Sequence, residues 1–251
     1  MNLEPLPQFL DASHFLVDPT FSLEDAWALT LNLTKGFLNT SVDVNYSNAK
    51  INGISWRHVN MMRFAIQIFL DPSRGMIMEV HRRKGDYKLA HDLYLTLLKH
   101  LGNKSDVEKK FINPSPNESL CMSIMDDYEG QISQEDTLKG IKSSFDMCMS
   151  DFVDISQEGL VALVELVSQS PRYAALLASH FDVHDVIQKA LMTDDPTHVC
   201  CGAFLLEYTW SELKHTESLL ALIEKRCNEM AQKGIEWNFP HQKLESIKNR
   251  T

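Results

Sequence analysis

Two histidines four residues apart, in His180-Phe181-Asp182-Val183-His184, come nearest by type and spacing to metal chemistry, because residues i and i+4 share one helical face. The zinc-protease arrangement needs a glutamate directly after the first histidine to act as base, and Phe181 stands there, so the pair is not read as a metal site. His198, Cys200 and Cys201 crowd together without a second ligand pair at a recognisable spacing, and their apolar neighbours point to buried thiols. Asp126, Asp127, Glu129, Glu135 and Asp136 have the look of paired catalytic carboxylates. Few apolar anchors surround them to desolvate a carboxyl and raise its pKa, so they read as a solvated acidic stretch. With only 10 glycines, the chain carries no G-x-S-x-G, no G-x-G-x-x-G and no G-x-x-x-x-G-K-[ST], which argues against nucleotide chemistry; no cofactor and no catalytic residue is expected.

The remaining charged feature is basic. Arg82, Arg83 and Lys84 are consecutive, and Arg74 and Lys88 are expected as neighbours across a hairpin and a helix start, so that five cations converge on one sheet end. Such a patch attracts an anionic surface by about 1 kcal/mol per basic residue. With Glu79, Asp86 and Asp92 close in sequence, the same run also reads as an ordinary solvated strand end.

The composition bounds what these residues can serve. The chain has 251 residues with 24 Lys+Arg against 34 Asp+Glu, a net charge of −10, so its bulk field repels nucleic acid and no nucleic-acid partner is expected. The 5 cysteines are odd in number and include no C-x-x-C, which suits free thiols in a reducing compartment. No run approaches the roughly 20 apolar residues of a membrane span. The start, Met1-Asn2-Leu3-Glu4-Pro5, has no basic region followed by an apolar one, so a cytoplasmic location is expected. Charge is unevenly placed: residues 1–110 carry 13 basic and 12 acidic side chains, whereas 111–160 alone carries ten acids against two lysines. That acidic stretch, with its Asn113-Pro114-Ser115-Pro116-Asn117 turn signature, reads as a boundary.

Periodicity divides the chain accordingly into an N-terminal tail (1–20), an α+β sheet domain (21–103), an acidic linker (104–155), an α-helical domain (156–235) and a C-terminal tail (236–251). Ser22 caps a helix with Leu23, Trp27, Leu31, Thr34 and Leu38 on one face, running to about Asn39. Val42, Val44 and Tyr46 alternate with polar residues, and Asn52-Gly53 reads as the turn of a first strand pair. Met61 to Leu70 and Met76 to Arg82 form a second pair around Asp71-Pro72-Ser73-Arg74-Gly75. Asp86 then caps a helix with Leu89, Leu93, Leu97 and Leu101 on one stripe, stopped by Gly102. From Ser156 the spacing is helical almost without interruption to Gly234. The expected fold class is therefore α+β: a helix, four antiparallel strands and a helix, followed by an all-α domain.

The run Met62-Arg63-Phe64-Ala65-Ile66-Gln67-Ile68, a loop, and then Met78-Glu79-Val80-His81-Arg82-Arg83-Lys84-Gly85-Asp86 with its apolar helix resembles the kinase-associated C-terminal domain found at the end of some serine/threonine kinases. The resemblance implies a non-catalytic module that binds anionic phospholipid or docks on a kinase, and it carries the binding role onto Arg82, Arg83 and Lys84. No His-Arg-Asp or Asp-Phe-Gly kinase motif is present. In the helical half, Leu163 to Pro171 and Val186 to Pro196 resemble each other and the turns of armadillo-type repeats, though their offset of about 25 residues is short for that repeat. A plain bundle fits as well, and either form offers a groove for a protein partner. The functional expectation is an interaction or adaptor protein that binds a protein through its helical half and an anionic membrane surface through its basic edge. Two other readings stay open: an enzyme with a site where the halves meet, using His91, His180 or His184, and a structural subunit of a larger assembly.

Overall fold

The computed structural model describes residues 13–108, 134–213 and 216–250. The chain divides into two compact units, residues 1–57 with 61–130, and residues 58–60 with 131–251. The first is an α+β unit and the second is helical, the fold class that the periodicity predicts.

In the first unit, β1 (His14–Leu16), α1 (Leu23–Gly36), β2 (Asn39–Asn45), β3 (Lys50–Arg57), β4 (Asn60–Asp71), β5 (Gly75–Gly85), α2 (Tyr87–Leu101) and a one-turn α3 (Lys104–Val107) follow in order. The strands form one sheet in the order β1-β5-β4-β3-β2, with antiparallel pairing recorded for β1 with β5, β5 with β4, and β3 with β2. Phe64, Ile66 and Ile68 of β4 and Met78 and Val80 of β5 alternate onto one face. They bury there with Ala26 and Trp27 of α1 and Leu89, Leu93, Leu97, Leu98 and Leu101 of α2. The opposite face carries a second buried apolar row, Ile54, Trp56, Ala65, Phe69 and Ile77.

Three local features differ from the sequence reading, each for an identifiable reason. A fifth strand, β1, lies in the stretch read as a tail: three residues are too few to show alternation, and it is held by tertiary bonds. The Val17 amide donates to the Met76 carbonyl, the Asn103 amide to the Leu16 carbonyl, and the Leu16 amide to the Asp106 carboxylate. The turn of the first hairpin spans 46–49, where the Asn45 side chain accepts from the Ser47 and Asn48 amides, and Asn52-Gly53 sits inside β3. Gly53 is needed for space, since a Cβ there would stand 2.3 Å from Cζ of Phe64. Finally, α1 buries Ala26, Trp27, Thr30 and Thr34, a face rotated from the one expected, because the Thr30 and Thr34 hydroxyls satisfy themselves on the Ala26 and Thr30 carbonyls and can enter the core. Leu38 lies beyond the helix, exposed and at φ 51°.

The second unit contains α4 (Gln134–Cys148), α5 (Val153–Gln169), α6 (Pro171–His180), α7 (Val183–Met192), α8 (Pro196–Thr209), α9 (Glu217–Met230) and α10 (Asn238–Lys248), with single 3-10 turns at Trp210–Glu212 and Ile235–Trp237. Helix α8 is apolar on all sides and is the centre of this unit: α5, α6, α7 and α10 all pack on it. Helix α4 occupies part of the stretch read as linker, and α10 lies in the expected C-terminal tail. Their apolar faces are narrow and their outer faces highly charged, which hides a helix in a composition count. Among the described residues no helix is long and apolar enough to cross a membrane.

Candidate functional site

The register of the β4–β5 hairpin decides which basic residues share a surface. Arg63 lies opposite Lys84, and Phe64 opposite Arg82, so Arg83 is the extra residue of a β-bulge. The strand then turns at Gly85, whose φ of 91° lets the chain pass over the Met61 carbonyl, and α2 begins at Tyr87 with Lys88 in its first turn. Arg63, Arg82, Arg83, Lys84 and Lys88 are thus exposed together at one end of the sheet. Arg74 is not among them. It lies in the β4–β5 loop at the other end, ten residues from Lys84, or roughly 30 Å at strand rise. There its guanidinium bonds Asp71 at 2.8 Å. The Ser73 hydroxyl and amide, together with Arg74, hold the Asp71 carboxyl well below the usual carboxylate range, so Arg74 serves the loop and the expectation that it joins the patch is corrected. Arg63, to which no binding role was assigned, takes its place; the cross-strand register is the signal that finds it.

The electrostatics of this end are unusual for a hairpin. Arg63 opposite Lys84 is a like-charge cross-strand pair, which destabilises a ladder. Lys88 sits at the positive pole of α2, whose first turn contains no acid. The Arg82 guanidinium donates to the Gly85 carbonyl at 2.8 Å and so braces the turn. Among the described residues, Arg83, Lys84 and Lys88 form no ion pair. Of the three acids expected to neutralise the run, Asp86 is taken up as the α2 cap, Asp92 by Arg57 at 2.7 Å, and Glu79 lies mid-strand in β5, opposite Gln67 and His14 and five residues before Lys84.

The other chemistry-bearing residues disperse. His180 ends α6 and His184 opens α7, so they do not share one helix: the break at Phe181-Asp182 intervenes. His91 stacks between Tyr87 and Tyr94 on α2. His184 Nε2 lies 2.9 Å from the Ser218 hydroxyl, with Asp185 3.8 Å from Nδ1, the order of a serine–histidine–carboxylate relay. The carboxylate is beyond hydrogen-bond length and the serine is exposed, so nothing desolvates an alkoxide there. Cys200 and Cys201 are buried in α8, which pushes both thiols up, and His198 bonds the Asp195 cap at 3.1 Å. Glu135 and Asp136 are exposed beside Lys139, as a solvated acidic face requires; Asp126, Asp127 and Glu129 lie outside the described residues.

Two further features were not read from the sequence. Around the α4–α5 turn, Met149, Phe152, Val153 and Ile155 are exposed, Phe152 by 72%, with Asp151, Asp154 and Glu158 among them. Lys189 of α7 reaches this turn by donating to the Cys148 and Ser150 carbonyls. Asp185, Gln188, Lys189 and Met192 of α7, with Thr193 just beyond it, line a shallow open depression of about 470 Å³. Separately, Cys227 of α9 faces His241 and Glu245 of α10, with one ligand atom from each lying within 4.8 Å of the others. Burial, then the Glu245 carboxylate beside it, pushes the Cys227 thiol up to about 12. The spacing His241-x-x-x-Glu245 was legible, but its third member comes from another helix.

No protein-family model, no curated protein and no solved structure matches this chain.

Proposed function

We propose that this protein is a non-catalytic interaction protein that associates with anionic phospholipid surfaces through the basic end of its sheet. The observation that carries the reading is the convergence of Arg63, Arg82, Arg83, Lys84 and Lys88 at that end, while the nearby acids Asp86 and Asp92 are engaged by the α2 cap and by Arg57. Like charges gathered at an exposed sheet end repel one another, and a bound anion offsets that repulsion. The likeness of this hairpin and helix to kinase-associated C-terminal domains points the same way. A cytoplasmic location belongs to this reading and is supported by the free buried thiols among the described residues, at Cys148, Cys200, Cys201 and Cys227.

The test is co-sedimentation of the full chain with vesicles of phosphatidylserine and phosphatidylcholine, and of phosphatidylcholine alone. Arg83→Glu/Lys84→Glu is the informative variant, because Arg82 also braces its own turn. At about 1 kcal/mol per basic residue, losing two cations weakens binding at least about tenfold. Lys35→Glu/Lys99→Glu, exposed on α1 and α2 with the same net charge, is the control and is expected to bind like the wild type. Equal loss in both variants, or no sedimentation of the wild type, rejects the reading.

A second surface favours a protein partner for the helical unit. The exposed Phe152 and Val153, rimmed by Asp151, Asp154 and Glu158, suit an amphipathic segment whose apolar face is flanked by Lys or Arg.

A further inference from the structure

We propose that Cys227, His241 and Glu245 form a binding site for a zinc-type divalent cation between α9 and α10, independent of the surface reading above. The three residues supply one sulfur, one nitrogen and one oxygen, a donor set that favours zinc over the hard cations magnesium and calcium. The geometry is close to that required. In a tetrahedral site with bonds of about 2.0–2.3 Å, neighbouring ligand atoms stand roughly 3.3–3.6 Å apart. His241 Nε2 and Glu245 Oε1 are 3.9 Å apart, and all three donors lie within 4.8 Å, so side-chain adjustments of about an ångström close the site. His241 and Glu245 are one turn apart on α10 and share a face, and Cys227 is fixed opposite them because it belongs to the buried stripe of α9 with Leu219, Ile223 and Met230.

Thiolate and carboxylate together balance the two charges of the cation, and the neutral imidazole adds the third bond. Binding transfers the Cys227 thiol proton to solvent as the sulfur–metal bond forms. His241 and Glu245 keep 29% and 38% of their side-chain surface exposed, which leaves a path for the ion and room for water as the fourth ligand. A thiol that donates to the Glu245 carboxylate accounts for that neighbour, and the imidazole of His241 on the same side completes a donor set of sulfur, nitrogen and oxygen.

The experiment is a titration of the full chain, cleared of metal with a chelator, with cobalt(II) and then with zinc(II) against a chromophoric competitor. One equivalent of cobalt should bind and give the sulfur-to-metal charge-transfer absorption of a thiolate ligand, and zinc should displace it. Cys227→Ser should abolish the charge-transfer band. His241→Gln and Glu245→Gln change partly exposed residues and should leave the circular dichroism unchanged. Each should weaken zinc binding more than about a hundredfold, since even groups one shell further out cost 10- to 100-fold. If Cys227→Ser does not fold, the two α10 variants decide alone. A charge-transfer band that survives in Cys227→Ser, zinc affinity unchanged in both α10 variants, or no stoichiometric binding by the wild type would overturn the proposal.

Discussion

Asp195 shows how one side chain can serve both a helix and its own ionisation. It caps α8, accepting from the Thr197 and His198 amides at 2.8 and 3.0 Å and lying 3.1 Å from His198 Nδ1. Burial pushes its carboxyl up, but the hydrogen bonds from His198 and Thr197 outweigh this and hold it below the ordinary value of 3.8. A carboxyl whose folded-state pKa lies below its unfolded value stabilises the fold above that value, and the contribution is lost as pH falls through the folded one. Asp195→Ala is therefore expected to lower stability by about 1–2 kcal/mol at neutral pH. The deficit should shrink as pH falls below the ordinary value of 3.8 and through the lower folded one, where the wild-type carboxyl protonates as well. Urea unfolding of both proteins across pH checks this; a deficit that stays constant into acid would show that the charge plays no part. Arg226 is the complementary case, a guanidinium only 7% exposed that bonds Glu229 and the Thr193 carbonyl and lies over Trp237. The cap was not singled out, although Asp195 directly before Pro196 is legible as one, because capping is local. The partners of Arg226 and the grouping of Cys227 with His241 and Glu245 were not legible, because they join residues brought together only by packing.

Among the elements, the β4–β5 hairpin and α2 were the most legible, since period-two alternation, a Gly-containing loop, an Asp cap and a four-residue leucine stripe each have a single structural meaning. What the strands could not reveal was register. The bulge at Arg83 and the consequent pairing of Arg63 with Lys84 follow from how β5 leaves the sheet, and Arg74 was misplaced because adjacency in a hairpin sequence says nothing about which end a residue occupies. Gly85 is the residue on which this exit depends. It has φ 91°, and a Cβ would lie 2.0 Å from the Met61 carbonyl oxygen, whose partner is the Asp86 amide at 2.9 Å. Gly85→Ala must shift backbone and break that bond, so a loss of at least about 2 kcal/mol is expected, more than the cost of left-handed φ alone. Gly75, also at φ 91°, has no atom within 4 Å of where an alanine methyl group would stand, so Gly75→Ala meets only the conformational cost of about 1–2 kcal/mol. Chemical denaturation of the two variants side by side separates clash from conformation, and equal losses would show that the Met61 approach is unimportant.

For the molecule as a whole, the net charge of −10 is concentrated in the second half of the chain, and that half exposes its apolar residues among acids. This distribution predicts which ligands each unit tolerates: anions at the basic sheet end, and cations with an apolar face at the α4–α5 turn. The composition made the asymmetry visible, but not the patch itself, because Met149, Phe152, Val153 and Ile155 have the same apolar character as core residues until the helices around them are packed. A labelled amphipathic peptide of leucine and lysine should bind the full chain, with affinity falling as salt rises and the Debye length drops below about 10 Å. Phe152→Ser/Val153→Ser removes two exposed apolar side chains, each worth about 1.5–3 kcal/mol if fully buried by a ligand, and should weaken the peptide at least about tenfold without changing thermal stability. A concentration-dependent dimer that disappears in the same variant would instead make a second copy of this chain the occupant. Unchanged peptide affinity in the variant would remove the α4–α5 turn as an interaction surface, because the acids alone would then account for the attraction.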